Sequence, residues 1–201
     1  MTFDTTGWTD PSANYTITAK KCLVGVKPLT IKGGGTFVCD YNVTGNVNNQ
    51  SSFSGEVVVT NTATLAINAG KRVTTTGAIT VNNGAALEVA QSGTVELGGN
   101  LALKTGAQLG FNYTALDAPV LKLDGKTVTY DEGATTNVIV KISAAEGKKA
   151  RCGANVLTSG GKFADATVSL VNKPEWVKGI SVVDGDIVLD VKITGTMILV
   201  R

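Results

Sequence analysis

The stretch from Asn61 to Lys126 repeats itself, and this repeat limits the fold more than any other feature of the chain. In rows of 22 residues it reads NTATLAINAGKRVTTTGAITVN (Asn61–Asn82), NGAALEVAQSGTVELGGNLALK (Asn83–Lys104) and TGAQLGFNYTALDAPVLKLDGK (Thr105–Lys126). Leu65, Leu87 and Leu109 fall in one column, and Ile67, Val89 and Phe111 in a second. Ile79, Leu101 and Leu123 make a third. Gly77 aligns with Gly99, and Gly84 with Gly106. A fixed period of this length marks stacked units, none of which can bury its apolar face alone.

Each row holds short runs in which apolar and polar residues alternate, the mark of a half-buried strand. One run is Thr64–Ile67, then Ala86–Val89, then Gln108–Phe111. Another is Ala78–Val81, then Asn100–Leu103. A third lies between them, at Arg72-Val73-Thr74 and Thr94–Leu97. In the last row Asp117 takes the place of Val73 and Val95, and Asp117-Ala118-Pro119 breaks the coil. Three short strands per 22 residues predict an all-β, single-stranded parallel β-helix with terminal caps, right-handed by the general crossover preference. No stretch has the i, i+3, i+4, i+7 pattern of an amphipathic helix. Glycine is abundant at 24 residues and proline scarce at 4, which suits many turns between unbroken strands.

The flanks continue the pattern less regularly. Gly55, Val57 and Val59 precede Gly77, Ile79 and Val81 by one period, and Val43 precedes Leu65. Tyr15–Thr18 and Leu23–Val26 read as strands before the repeat. Lys32-Gly33-Gly34-Gly35-Thr36 lacks the ending of a phosphate loop and predicts a turn that uses positive φ. After the repeat, Thr127–Tyr130 and Asn137–Ile142 read as strands. Ala144–Arg151 reads as a polar loop. Val156-Leu157, Ala166–Leu170, Gly179–Val183, Asp186–Val191 and Thr196–Val200 complete the chain as strands, with Asp184-Gly185-Asp186 as a hairpin turn. The expected division is an N-terminal cap (1–36), β-helix coils (37–142) and an antiparallel C-terminal β cap (143–201). Trp8 and Trp176 lie outside the repeat. Trp8 is read as a lid over the open end of the stack, with a sugar-stacking platform as the alternative.

The units Asn61-Thr-Ala-Thr-Leu-Ala-Ile, Asn83-Gly-Ala-Ala-Leu-Glu-Val and Thr105-Gly-Ala-Gln-Leu-Gly-Phe resemble those of bacterial secreted β-helix proteins of the autotransporter-passenger and adhesin type. The run Val156-Leu-Thr-Ser-Gly-Gly, Trp176 and Asp184-Gly-Asp-Ile-Val-Leu-Asp-Val resemble the closing coils and cap of such proteins. The resemblance spans residues 37–195. It implies a secreted or cell-surface location and a structural or adhesive role. The outer-membrane barrel and protease domain of that family have no counterpart in these residues.

Chemistry is sparsely provided for. The chain has no histidine, which removes Ser-His-Asp and Cys-His catalysis and the commonest metal ligand. Glu88, Glu96, Asp117, Asp124, Asp131 and Glu132 are scattered. Glu88 and Glu96 belong to one coil and could face one groove. Their expected neighbours one row away are Ala66 and Gly110, and Thr74 and Ala118, so no carboxylate ladder builds up. Lys71-Arg72 is expected to have no acid one coil away. Asp124-Gly125, Asp131-Glu132 and Asp184-Gly185-Asp186 read as turns and lack repeated calcium spacing. Cys22, Cys39 and Cys152 are odd in number. Cys22 and Cys39 either bridge neighbouring coils or are small buried apolar residues. No catalytic, cofactor or metal residue is therefore assigned, and no cofactor is expected.

A formal net charge of +2 gives no basic field for nucleic acid. No apolar run is long enough to span a membrane as a helix. Met1-Thr2-Phe3-Asp4 is no secretion signal, so the sequence is expected to be part of a longer secreted polypeptide. Thr60, Thr62, Thr64, Thr74, Thr75, Thr76, Thr80, Asn82 and Asn83 point outward as polar ladders. They serve solubility and strand propensity, or form a shallow face for surface glycans or cell-surface proteins. The rivals to an adhesive module are a polysaccharide lyase or glycosidase on the same fold, and a trimeric phage fibre.

Overall fold

The computed structural model describes residues 1–7, 15–19, 27–39, 55–67, 72–73, 77–89, 94–113, 120–131, 137–144 and 153–192. These residues are all-β, without a helix, and stack as a parallel solenoid. Strands are numbered along the chain. Sheet I contains β1 (Thr2–Asp4), β3 (Leu29–Lys32), β5 (Val57–Thr60), β8 (Ile79–Val81), β11 (Leu101–Leu103) and β14 (Val128–Tyr130), in that spatial order. Sheet II runs from β2 (Thr16–Ala19) through β4 (Thr36–Cys39), β6 (Thr64–Ile67), β9 (Ala86–Val89) and β12 (Gln108–Tyr113) to β15 (Asn137–Ala144) and β18 (Thr167–Val171). Sheet III stacks β7 (Arg72–Val73), β10 (Val95–Leu97), β13 (Leu121–Lys122) and β17 (Thr158–Ser159). Every pairing within these three sheets is parallel.

The predicted ladders form where the period is regular. Leu87 lies between Leu65 and Leu109, and Val89 between Ile67 and Phe111. Val57, Ile79 and Leu101 stack, as do Val59, Val81 and Leu103. All of these side chains are buried. Alternation sends every second residue inward, and parallel in-register pairing puts like residues above one another.

Outside the regular block, and within it in sheet III, the coil length changes, and three expected alignments fail. Val128, not Leu123, lies opposite Leu101. Leu123 is still buried, but one element earlier, just after β13. Phe37, not Val43, lies opposite Leu65. In sheet III, Val73 pairs with Leu97, and Val95 with Leu121. The first slip is two residues and the second four, and both preserve which face a side chain takes; Val95 and Leu97 are both buried. The cause is the connecting loops, whose lengths vary while the hydrogen-bonded strands keep their stacking. Parallel stacking also extends beyond 37–142, to β1 and β3 upstream and to β17 and β18 downstream.

Three antiparallel strands close the described part: β16 (Gly153–Val156), β20 (Asp186–Val191) and β19 (Val177–Val183), with β20 in the middle. Val183 pairs with Asp186 across Asp184 (φ 51°) and Gly185 (φ 79°). Positive φ at both central residues is the two-residue hairpin the Asp-Gly pair predicts. Val177, Ile187, Leu189 and Val191 join the core, and Trp176 packs against it half-buried. Leu23–Val26, Val43, Asp117–Pro119, residues 145–151 and Thr196–Val200 lie outside the described residues.

Candidate functional site

The outer surface of sheet I is a set of columns. Thr2, Thr30, Val58, Thr80, Ala102 and Thr129 lie in register across six strands. Two residues further on, Asp4, Lys32 and Thr60 align. Asn82 and Lys104 extend that column, for their amides donate to the carbonyls of Val59 and Val81. Each end of the column is closed by an ion pair between adjacent coils: Asp4 with Lys32 at 2.9 Å, and Asp131 with Lys104 at 2.6 Å. The Lys32 hydrogen bond, aided by Thr6, holds the Asp4 carboxyl far below the usual carboxylate range. Lys104, then the Thr105 amide, lowers Asp131 in the same way. Thr80 donates to Glu56 at 3.0 Å, one coil away.

The corner between sheets I and II repeats a tight turn: Asn61-Thr62-Ala63, Asn83-Gly84-Ala85, Thr105-Gly106-Ala107. The three alanines are fully buried, and each amide donates back three residues, to Thr60, Asn82 and Lys104. The middle residues have φ of 62°, 74° and 78°. Glycine adopts this conformation without cost, so Gly84 and Gly106 fit and Thr62 does not. Asn61, Thr62, Asn83 and Thr105 are exposed along the ridge.

The glycine run Gly33–Gly35 has a second cause beside its turn. Gly33 takes φ 93°, as expected, but buried Thr5 also fills the space beside it. The Thr5 hydroxyl accepts from the Gly35 amide at 2.9 Å, and a Cβ on Gly35 would stand 2.7 Å from the Thr5 methyl. Sequence reading missed Thr5. Three glycines where one suffices for a turn are the signal of a close approach.

The acids are not brought together. Glu88 sits on sheet II between Ala66 and Gly110, as expected. Glu96 sits on sheet III, so the two do not share a face. Its neighbours are Arg72 and Lys122, not Thr74 and Ala118. Arg72 thus does have an acid one coil away, because the sheet III register differs from the row alignment. Among the described residues no three His, Cys, Asp or Glu side chains are grouped to hold a metal ion. Cys39 is a free thiol in the core, and burial pushes its pKa up to about 12. Trp8, Cys22, Cys152, Lys71, Thr74, Thr75, Thr76, Glu132 and Arg151 lie outside the described residues.

Near the closing sheet, two separate sequence motifs meet. Thr158, fully buried in the Leu157–Gly161 run, donates to Asp186 at 3.2 Å and accepts from the Ile187 amide at 2.9 Å. Asp186 also accepts from the Gly161 amide at 3.0 Å. Gly185 lies so close to Gly161 that a Cβ would stand 2.7 Å from the Gly161 carbonyl carbon. Nearby, Tyr130 donates to the Lys162 carbonyl at 3.1 Å and meets Phe163 edge-on. Burial, then Asp165, raises the Tyr130 phenol well above its usual range. This cluster joins the hairpin to the last coil of sheet III.

The geometry is therefore that of a scaffold with patterned outer columns. No protein-family model matches the chain, no curated protein matches it, and no solved structure matches it.

Proposed function

We propose that this chain is a non-enzymatic structural or adhesive module of a secreted or cell-surface bacterial protein, similar in kind to an autotransporter passenger or adhesin. The observation that supports it is the register of sheet I, whose outward hydroxyl, amide and small apolar groups lie in columns across six strands. At roughly 4.8 Å per strand, such a face offers the same weak contact many times over about 24 Å. Surface glycans or cell-surface proteins gain avidity from such repetition rather than from one deep contact.

The test pairs binding with turnover. The protein is applied to immobilised glycans and to intact host cells, and is separately incubated with soluble polysaccharides. Retention on one of the surfaces with no new reducing ends or unsaturated products is the expected result. Steady release of either product would replace this reading with the lyase or glycosidase. A solution mass of three chains would point to the fibre.

A further inference from the structure

Thr62 is the one β-branched residue among the described residues that holds a left-handed backbone, at φ 62°. Such a residue avoids this region, and strain of this kind is kept where the surroundings or function demand it. Here the surroundings do not. One coil on, Gly84 takes the same turn at φ 74°, and Gly106 follows at φ 78°. Thr62 is exposed, so its side chain is not retained for the core. Its hydroxyl is pinned to the Asn61 carbonyl at 2.6 Å, which fixes the methyl outward toward the Gly84 turn. Asn61, also at positive φ, and Asn83 expose amides beside it, in stacked positions of adjacent coils. Asn83 reaches over Gly106, where a Cβ would stand 2.3 Å from its side-chain oxygen. Gly106 is thus covered, whereas a Cβ on Gly84 would meet only the Thr62 methyl, at 3.7 Å, so a ligand can approach the Gly84 backbone closely.

We propose that this corner, Asn61, Thr62 and Asn83 with the Gly84 backbone, is a contact site for an extended neutral glycan lying along the coil axis. It rests on the adhesive reading above. The chemistry is uncharged: amides and hydroxyls that match sugar hydroxyls, repeating at roughly 4.8 Å, comparable with the length of one sugar ring. The charged groups that flank the corner in the neighbouring column, Lys32 and Lys104, are already paired with Asp4 and Asp131.

The test uses an array of neutral oligosaccharides (gluco-, xylo-, manno- and N-acetylglucosamine series) beside uronic and sulfated ones. Wild type is compared with Thr62→Gly, Asn61→Gly and Asn83→Ala, each first shown to keep the wild-type far-UV spectrum. The expected result is binding to neutral chains, weakened about tenfold by Thr62→Gly and by Asn83→Ala. Thr62→Gly should at the same time raise Tm by about 2–4 °C as strain is relieved. Lower affinity with higher Tm is a pairing that a merely structural residue does not produce. If wild type binds no sugar, the glycan form of the adhesive reading and this site fall together. If wild type binds and all three variants bind equally well, only this site is overturned. Binding confined to anionic glycans also overturns it.

Discussion

Replacing Leu87 with aspartate tests the solenoid at its centre. Leu87 is 2% exposed and stacked between Leu65 and Leu109. Burying a leucine side chain is worth about 1.5–3 kcal/mol. Truncation in a packed core raises the loss to about 2–5 kcal/mol, because the cavity does not fully collapse. A carboxyl group with no partner there adds about 1–3 kcal/mol, even when it stays protonated. The sum, about 3–8 kcal/mol, is a large share of the ~5–15 kcal/mol that holds a domain folded. For a chain of this size, at about 2–4 °C per kcal/mol, that corresponds to a fall in Tm of about 6–32 °C. Thermal unfolding followed by far-UV circular dichroism reads it, with Leu87→Ala and the outward Glu88→Ala as companions. The buried acid should also carry a pH signature. Its folded pKa is raised above the unfolded value of about 3.9, so the deficit grows as pH rises above that value and shrinks toward it. A Leu87→Asp Tm within about 2 °C of wild type, or one no lower than that of Glu88→Ala, would refute the ladder.

Three further outcomes follow from particular contacts. Asp131 is held below its usual pKa by Lys104 and Thr105, so its stabilisation is present above the unfolded value of about 3.9 and is lost as pH falls below it. The Tm advantage of wild type over Asp131→Asn, measured from neutral pH downward, should therefore shrink below about pH 4. Thr158→Val keeps the shape but leaves the Ile187 amide without its buried acceptor and removes a donor to Asp186. It should cost about 1–3 kcal/mol in denaturant unfolding, and Thr158→Ser should restore most of it. Gly125→Ala meets only the penalty of its positive φ, having open space around it, whereas Gly185→Ala also drives a Cβ against Gly161. The first should cost about 1 kcal/mol and the second at least twice that; equal losses would mean that the Gly161–Gly185 contact is loose.

The legible part of the fold lies where two periods agree. In sheets I and II from Val57 to Phe111 the side-chain alternation of two coincides with a constant coil of 22, so Leu65, Leu87 and Leu109 announce themselves as a column. Sheet III was legible as strands but not as register. Val73 beside Val95 and Val73 beside Leu97 differ by two residues and look alike in a hydrophobic pattern. The same ambiguity hid the Arg72–Glu96 alignment. Thr5 and Thr158 were invisible for another reason. A threonine that spends its hydroxyl on a buried amide is written with the same letter as one facing water, and only its partners tell them apart. At the corner ridge the outward Asn and Thr could be read, whereas the left-handed backbone of Thr62 could not, since glycine was the residue that turn called for.

What the sequence determined by itself is the class of architecture. A 22-residue repeat of short alternating strands, without helical periodicity, can bury its apolar columns only by stacking coil on coil. Tertiary structure decided which coil faces which once the repeat loosened: Val128 rather than Leu123 beside Leu101, and Phe37 beside Leu65. The physical reason is that side-chain burial constrains a strand only to the correct face, and more than one chain separation between coils satisfies that. The remaining choice belongs to the backbone hydrogen bonds and to the loops, whose lengths set how much chain each coil consumes before the next strand begins.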